Sequence, residues 1–137
     1  MKNAVVQKDP LGCGIACVSF ICGNSYNYSK KNYFRYSTLA RIRGFICKDL
    51  VNALRISGRE YFYRYIGNKR IRYKENTIVF IQRSKKYPSG HYLVYTAQGW
   101  MDSWLNFNLK NSYIKYAKSG FRKRLPGKAI YAIISKD

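Results

Sequence analysis

The run from Cys13 to Cys22 constrains the fold more than any other part of the chain, because all ten of its residues are small or apolar. A helix that is apolar on every side has no face for water and is stable only when it is buried. Gly23 and Asn24 follow this run, and glycine favours the left-handed backbone conformation that ends many helices. We therefore predict a buried helix over residues 13–22.

The remainder of the chain has to supply the core that encloses this helix. The chain has 137 residues without repeats, low-complexity segments or Pro/Gly/Ser-rich linkers, so we predict one domain over residues 1–137. Hydrophobic residues make up 47% of the chain, which excludes a disordered protein. No apolar run reaches the length of about 18 residues that spans a membrane. Residues 1–10 lack the apolar stretch of a secretory signal, so we expect a cytoplasmic protein.

Helical signals precede strand signals along the chain. Residues 24–36 are polar and rich in tyrosine, which indicates a loop or a short helix. Ser37 can cap a short helix that runs through Ile42, and apolar residues recur at helical spacing over residues 46–56. Alternating or β-branched residues predict strands at 61–66, 77–82, 91–95, 99–104 and 129–135, with a short helix over 109–118. Helices followed by an antiparallel sheet indicate the α+β class.

A cysteine and a histidine stand where nucleophilic chemistry needs them. His91 is the only histidine, so any imidazole chemistry must use it. Cys13 opens the predicted helix, where N–H groups and the positive end of the helix dipole favour a thiolate, the nucleophilic form. Gly12 and Gly14 beside the cysteine, and Gly90 before the histidine, leave room for a substrate backbone. Each residue alone has a purely structural explanation, but together they predict a Cys–His pair.

The string Gln-Lys-Asp-Pro-Leu-Gly-Cys-Gly-Ile-Ala-Cys, residues 7–17, resembles the start of the bacteriocin-processing peptidases. These papain-like enzymes remove double-glycine leader peptides. The segment Gly-His-Tyr-Leu-Val-Tyr at 90–95 resembles the strand that carries the family's histidine, and Asp102 matches the aspartate of its closing hairpin. The resemblance covers essentially the whole chain. It implies a papain-like cysteine peptidase fold, with N-terminal helices packed on an antiparallel sheet.

The resemblance also implies the role of each catalytic residue. Cys13 attacks the scissile carbonyl, His91 takes and returns the proton, and Asp102 orients the imidazole. Gln7 donates its side-chain amide to the oxyanion, together with the backbone N–H of Cys13. The implied substrate is a peptide or protein, cleaved after small residues such as Gly-Gly, with no metal and no cofactor. Because no Walker-type phosphate loop is present, we expect a peptidase domain that is either free-standing or cut from a larger protein.

The register of one predicted hairpin decides whether Asp102 reaches His91. If the chain turns at residues 96–97, with Gly99 in a left-handed conformation, Asp102 lies opposite His91 at about 5 Å. If it turns at residues 98–99, Asp102 faces Tyr95 and lies about 13 Å along the strand from His91. We favour the first register.

Further residues near this hairpin are candidates for the site. Asn106 or Asn108 would orient the imidazole if the second register applied. Ser103 follows Asp102 where the family usually has a proline. Trp100, Trp104 and the many tyrosines are candidates to line a substrate groove, with Trp100 as the predicted substrate contact. The alternative is that most of these aromatic residues pack in the core or cover the sheet.

The charge of the chain leaves other functions open. Lys and Arg number 26 against 6 acidic residues, a formal net charge of +20 that attracts polyanions, acidic peptides or anionic surfaces. A compositional bias explains the same charge without any function. One alternative is a non-catalytic module on a degenerate peptidase fold that binds nucleic acid. Another is an isopeptidase or acyltransferase that uses the same Cys–His pair.

The other cysteines are Cys17, Cys22 and Cys47. Their spacing does not give the two pairs that a structural zinc site requires. A chain without a secretion signal is not expected to form disulfides. We therefore predict that these three cysteines are buried apolar thiols.

Overall fold

The computed structural model of the chain describes residues 2–83, 90–108, 110 and 112–137. The described residues form four α-helices followed by six β-strands, which confirms the predicted α+β class. The helices are α1 (Cys13–Cys22), α2 (Tyr26–Tyr33), α3 (Leu39–Ile42) and α4 (Cys47–Ile56). The strands are β1 (Tyr61–Tyr65), β2 (Ile78–Gln82), β3 (Gly90–Thr96), β4 (Gly99–Asp102), β5 (Gly120–Arg122) and β6 (Lys128–Ser135). No helix among these residues is long and apolar enough to cross a membrane.

All six strands join one antiparallel sheet in the order β1-β6-β2-β3-β4-β5. The last strand of the chain, β6, lies between β1 and β2, so the end of the chain closes the sheet. β3 carries His91 and pairs with β2 on one side and β4 on the other. The histidine therefore stands on an interior strand, whose backbone is held on both sides.

Helix α1 has the predicted bounds and the predicted burial. Every residue from Cys13 to Ile21 is buried, between the other helices and one face of the sheet. Gly23 ends the helix with a φ of 71°, and its N–H bonds back to the carbonyls of Phe20 and Ser19. This is the left-handed helix end that the sequence predicted.

The other face of the sheet carries a second apolar cluster. Leu93, Val79 and Ile81 are fully buried in it, and side chains such as Ile71 and Tyr73 cover it. Burying an aliphatic side chain of this size contributes about 1.5–3 kcal/mol to stability. The central strands are therefore buried on both faces of the sheet.

The hairpin of β3 and β4 has neither of the predicted registers. Thr96 pairs with Gly99, so the turn is formed by residues 97–98, and the pairing places Asp102 across from Leu93. The side chain of Thr96 explains this choice. Its Oγ1 donates to the Gly99 carbonyl at 2.7 Å and accepts the N–H of Gln98 at 3.0 Å, which fixes the two-residue turn. Gly99 does have the predicted positive φ, at 113°.

Several other predictions need correction in their detail. The third helix begins at Leu39 after Thr38, so Ser37 does not cap it. In the segment predicted as a helix over 109–118, only Ile114–Tyr116 form a single 3-10 turn; residues 109 and 111 lie outside the described residues. Strand β5 was not predicted, because its three residues are all half-buried and show no alternation.

The loop before α1 is anchored by Asp9, a residue for which no role was predicted. Its Oδ2 accepts hydrogen bonds from the Tyr26 hydroxyl at 2.7 Å and from Lys30 Nζ at 2.9 Å. Its backbone carbonyl accepts the N–H of Gly12 at 3.1 Å. Burial raises the pKa of Asp9, but the bonds from Tyr26 and Lys30 outweigh it and hold the pKa below its ordinary value. The carboxylate therefore ties the loop that leads into Cys13 to helix α2.

We expect Asp9→Asn to lower the free energy of unfolding by about 1–3 kcal/mol at pH 7, because Lys30 loses its charged partner. The pKa of Asp9 is lowered in the folded protein. Its contribution is therefore present above the unfolded pKa of about 3.9 and is lost as the pH falls through the folded value. Urea unfolding at pH 7 and in this acidic range measures both effects. The exposed Glu75→Gln is the control, and equal stability of Asp9→Asn and wild type at pH 7 would refute the anchor.

Candidate active site

A groove of about 500 Å³ opens at the N-terminus of α1. Cys13 and His91 both line it, together with Gln7 and Trp104. Cys13 is the first residue of α1, with Gly12 as the cap, and His91 is the second residue of β3. The fold therefore brings together residues from the start of the chain and from the middle of the sheet.

The thiol of Cys13 and the imidazole of His91 perturb each other. Burial raises the pKa of Cys13, but the charge of His91 and a hydrogen bond with it lower the pKa below its ordinary value. A backbone hydrogen bond from Tyr92 and the charge of Arg83 act in the same direction. Burial lowers the pKa of His91, yet Cys13 and Asp102 together raise it to about 9. These opposite shifts favour a thiolate beside an imidazolium.

The imidazole is held from its other side by Asp102. His91 Nε2 lies 2.7 Å from Asp102 Oδ1, and both side chains are buried. Since Nε2 is used in this contact, Nδ1 is the nitrogen left for Cys13. The observed β3–β4 pairs end at Val94 and Met101, and the same register continued by one residue puts Asp102 across from Leu93. His91 is then its diagonal neighbour on the same face, about 7–8 Å away between backbones. The predicted contact therefore forms without the predicted register.

Asp102 accepts hydrogen bonds from two further elements. The backbone N–H of Trp104 donates to Oδ1 at 2.9 Å, and Arg122 Nε donates to Oδ2 at 2.7 Å. Arg122 also donates from Nη2 to the Leu105 carbonyl at 2.9 Å. Burial raises the pKa of Asp102, but the bonds from His91, Arg122 and Trp104 hold it well below its ordinary value. The carboxylate is therefore ionised while fully buried.

Arg122 is a site residue that the sequence did not reveal. It pairs with Trp100 across the β4–β5 ladder, which makes it a diagonal neighbour of Asp102 on the opposite side from His91. Nothing in the local sequence distinguishes it from the neighbouring Lys123 and Arg124. Only the pairing of the short strand β5 selects this one residue.

Gln7, the predicted oxyanion donor, lines the groove together with Cys13, but its amide is already bonded. Its Nε2 donates to the carbonyls of Asp9 at 3.0 Å and Pro10 at 3.2 Å. Its Oε1 accepts the hydroxyl of Ser103 at 2.7 Å. Both amide hydrogens are thus used within the loop, so donation to a substrate oxygen requires the release of one of these two bonds.

The glycines beside Cys13 serve packing rather than access. At Gly12, a Cβ would overlap the hydroxyl of Tyr26, and at Gly14 it would lie 2.8 Å from Leu50 Cδ1. Neither glycine lines the groove. They allow α2 and α4 to approach the start of α1, and the predicted room for a substrate backbone is occupied by the protein itself.

The other two predicted substrate contacts have different outcomes. Gly90 lines the groove, and the ring of Phe80 fills the space that a Cβ at Gly90 would occupy. Trp100 does not line the groove. It is buried in the second apolar cluster, where its ring lies 5.0 Å from that of Tyr73 and 5.2 Å from that of Tyr95. Trp104, the other tryptophan that was a candidate for the groove, does line it.

The asparagines that were candidates to orient His91 have structural partners elsewhere. Asn106 bonds the backbone of Tyr116 and Lys118, and Asn108 accepts the N–H of Lys110. Asp102 alone among these three candidates bonds the imidazole. Neither asparagine therefore takes the place of Asp102, although neither predicted register of the hairpin is present.

The remaining cysteines stay apart from this chemistry. Burial raises the pKa of Cys17 and of Cys47, as expected for apolar thiols, whereas Cys22 is only half-buried. Among the described residues, no three His, Cys, Asp or Glu side chains cluster as metal ligands do.

The groove is cationic and apolar. Arg43 and Arg83 line it, and Arg83 lies over the ring of Phe107 at 4.5 Å. No acidic residue is among the described residues that line it. A bound ligand thus meets positive charge and aromatic surface next to the thiol.

We expect Arg122→Met to lower the free energy of unfolding by about 1–3 kcal/mol, because it leaves an oxygen of the buried Asp102 carboxylate without its donor. Arg122→Lys should recover only part of this loss, since an ammonium lacks the two-pronged geometry that reaches both Asp102 and Leu105. Urea unfolding at pH 7 measures the difference. The control is the exposed Arg124→Met, expected to stay within about 0.5 kcal/mol of wild type. Equal losses at positions 122 and 124 would contradict this role.

Comparisons of the chain with models of protein families, with curated proteins and with solved structures found no match. Its functional assignment therefore depends on the geometry and chemistry of its own residues.

Proposed function

We propose that this chain is a cysteine peptidase with a papain-like fold that cleaves a peptide or protein substrate. The observation that carries the proposal is the continuous set Cys13–His91–Asp102, in which the thiol pKa is lowered and the imidazole pKa is raised to about 9. Burying such a pair is costly, and a surface that only binds a polyanion gains nothing from it. Nucleophilic catalysis by a cysteine uses a thiolate that is kept beside an imidazolium in this way.

The proposed reaction has two stages. In the first, the Cys13 thiolate attacks the scissile carbonyl carbon, a C–S bond forms, and the carbonyl π electrons move to the oxygen. The backbone N–H of Cys13 and the amide of Gln7 are the donors proposed for that oxygen. The imidazolium of His91 gives its proton to the departing amine as the C–N bond breaks, which leaves a thioester.

In the second stage, neutral His91 removes a proton from water while the water oxygen attacks the thioester carbonyl. The C–S bond then breaks, the acid product leaves, and the thiolate forms again beside the imidazolium. Throughout both stages Asp102 keeps Nε2 of the imidazole fixed, so that Nδ1 stays directed to Cys13. An amine acceptor in place of water would give transfer or isopeptide chemistry by the same steps.

The lining of the groove supports a particular class of substrate. Arg43 and Arg83 supply positive charge, while Phe45 and Phe80 supply apolar surface. We propose a peptide with acidic and apolar side chains near the scissile bond. Cleavage after small residues such as Gly-Gly follows from the sequence resemblance and belongs to the same proposal.

The first test is the pH dependence of thiol alkylation. An ordinary thiol with a pKa of about 8.5 is ionised in about one molecule in 300 at pH 6, so a lowered pKa should speed iodoacetamide alkylation there by about tenfold or more. Intact mass spectrometry should find one modified site in wild type and none at that rate in Cys13→Ser. Peptidase activity should rise as the pH passes the lowered pKa of Cys13 and fall as His91 loses its proton near pH 9.

His91→Ala is the decisive variant in this experiment. Without the imidazolium, the thiol pKa returns toward that of a buried thiol, so alkylation at pH 6 should slow by about tenfold or more. If His91→Ala and wild type react equally slowly, the pair is not activated. Nucleic-acid affinity that falls steeply with salt would then favour the binding module instead.

The charge of the groove predicts a substrate preference. We expect kcat/KM for acidic fluorogenic peptides to exceed that for their basic counterparts by about tenfold, and the ratio to shrink as salt shortens the Debye length from about 10 Å at 0.1 M to about 3 Å at 1 M. Arg43→Met and Arg83→Met should each reduce the ratio. Arg124→Met, which keeps the groove intact, should not. A ratio that is independent of salt would contradict the electrostatic explanation.

A further inference from the structure

We infer that Ser103 is a positioning residue for the proposed oxyanion donor, Gln7. The hydroxyl of Ser103 bonds the side-chain amide oxygen of Gln7, so that the N–H groups of that amide stay on the groove side. The inference rests on the proposed peptidase function and adds a residue to that same site. It starts from the contact of Ser103 Oγ with Gln7 Oε1 at 2.7 Å, between side chains that are 0% and 2% exposed.

The bonding partners determine which end of the Gln7 amide is which. The nitrogen end lies 3.0 Å and 3.2 Å from the carbonyl oxygens of Asp9 and Pro10, which are acceptors only. That end must therefore be the NH2 group, and the end beside Ser103 must be the oxygen. Since Oε1 has no hydrogen, the hydroxyl of Ser103 is the donor in this contact.

The two hydrogen bonds from the side-chain amide of Gln7 differ in length and in burial. The bond to the Asp9 carbonyl is buried, whereas the bond to Pro10 is longer and only partly buried. Pro10 itself lines the groove. A substrate oxyanion is a stronger acceptor than a peptide carbonyl, so the N–H on the Pro10 side is the one that leaves its carbonyl acceptor and donates a hydrogen bond to the oxyanion. The carbonyl of Pro10 can then bond to water in the groove.

Ser103 also ties this donor to the triad. The backbone N–H of Gln7 donates to the Ser103 carbonyl at 3.2 Å, so both the main chain and the side chain of Ser103 hold the glutamine. Ser103 is the residue after Asp102, whose carboxylate fixes His91. Without the hydroxyl, Gln7 Oε1 would be a buried acceptor with no donor, and the amide would lose the contact that sets its rotation.

Two reactions of Cys13 separate this role from a general effect on the thiol. Alkylation by iodoacetamide is a substitution in which the C–S bond forms as iodide leaves, and no oxyanion arises. Acylation by p-nitrophenyl acetate passes through an oxyanion before the C–O bond breaks and p-nitrophenolate leaves. The burst of p-nitrophenolate and the alkylation rate are measured on the full chain at one pH, and neither needs the natural substrate.

We expect Ser103→Ala to slow acylation by about tenfold or more while alkylation changes by less than about twofold. Gln7→Ala should slow acylation by about 100-fold, and the double variant should be no slower than Gln7→Ala alone, because the hydroxyl acts only through Gln7. Ser19→Ala is the matched control. It removes a fully buried hydroxyl that also donates at 2.7 Å, to the Ile15 carbonyl, and should change neither rate.

The isosteric pair Ser103→Thr and Ser103→Val serves if the alanine variant does not fold. Both side chains add the same bulk, and only threonine keeps the hydroxyl, so the threonine variant should acylate faster while both alkylate equally. Equal acylation in that pair, an equal loss of both reactions in Ser103→Ala, or additive losses in the double variant would each overturn the inference. A wild type that neither alkylates quickly nor gives a burst would overturn the proposed function as well.

Discussion

The site depends on the hydrogen bonds that the buried carboxylate of Asp102 accepts. Moving an ion out of water costs several kcal/mol, and this ion is fully buried, so its partners must recover that cost. They come from three places: His91 on β3, Arg122 on β5 and the backbone of Trp104 in the turn after β4. Neighbouring strands supply the two side chains from diagonal positions on one face. The carboxylate therefore fixes the imidazole and also holds the edge of the sheet together.

The charges around this carboxylate balance one another. A thiolate at Cys13 and the carboxylate of Asp102 carry two negative charges, and the imidazolium of His91 and the guanidinium of Arg122 carry two positive ones. A chain with a formal net charge of +20 thus keeps the proposed catalytic centre close to neutral. The excess positive charge lies around it, including Arg43 and Arg83 in the groove. In the proposed function, this separation lets the surface attract an acidic ligand while the pKa shifts of Cys13 and His91 are kept.

The parts of the site that local sequence determines could be predicted, and the parts that depend on pairing could not. The apolar run of α1 and the glycine that ends it placed Cys13 at a helix N-terminus, as the structure has it. The contact of Cys13, His91 and Asp102, which the family resemblance implied, is present, although the register on which it was predicted to depend is wrong. The register of the β3–β4 hairpin was predicted wrongly, because Thr96 fixes the turn through its own side chain. Arg122 was missed because only the β4–β5 pairing distinguishes it from the basic residues beside it.

The contacts that complete the site join the two ends of a long stretch of chain. Gln7 and Ser103 are 96 residues apart, and Ser103 directly follows the carboxylate that orients His91. The N-terminal loop also has contacts of its own with the helices. Asp9 accepts the hydroxyl of Tyr26 on α2, and the N–H of Leu11 donates to the carbonyl of Ala40. The set Cys13–His91–Asp102 is thus assembled by the sheet and α1, whereas Gln7, the proposed oxyanion donor, lies on the N-terminal loop. In the proposed mechanism, release of that loop would leave the thiol without the Gln7 donor, so the mechanism needs both parts to be docked.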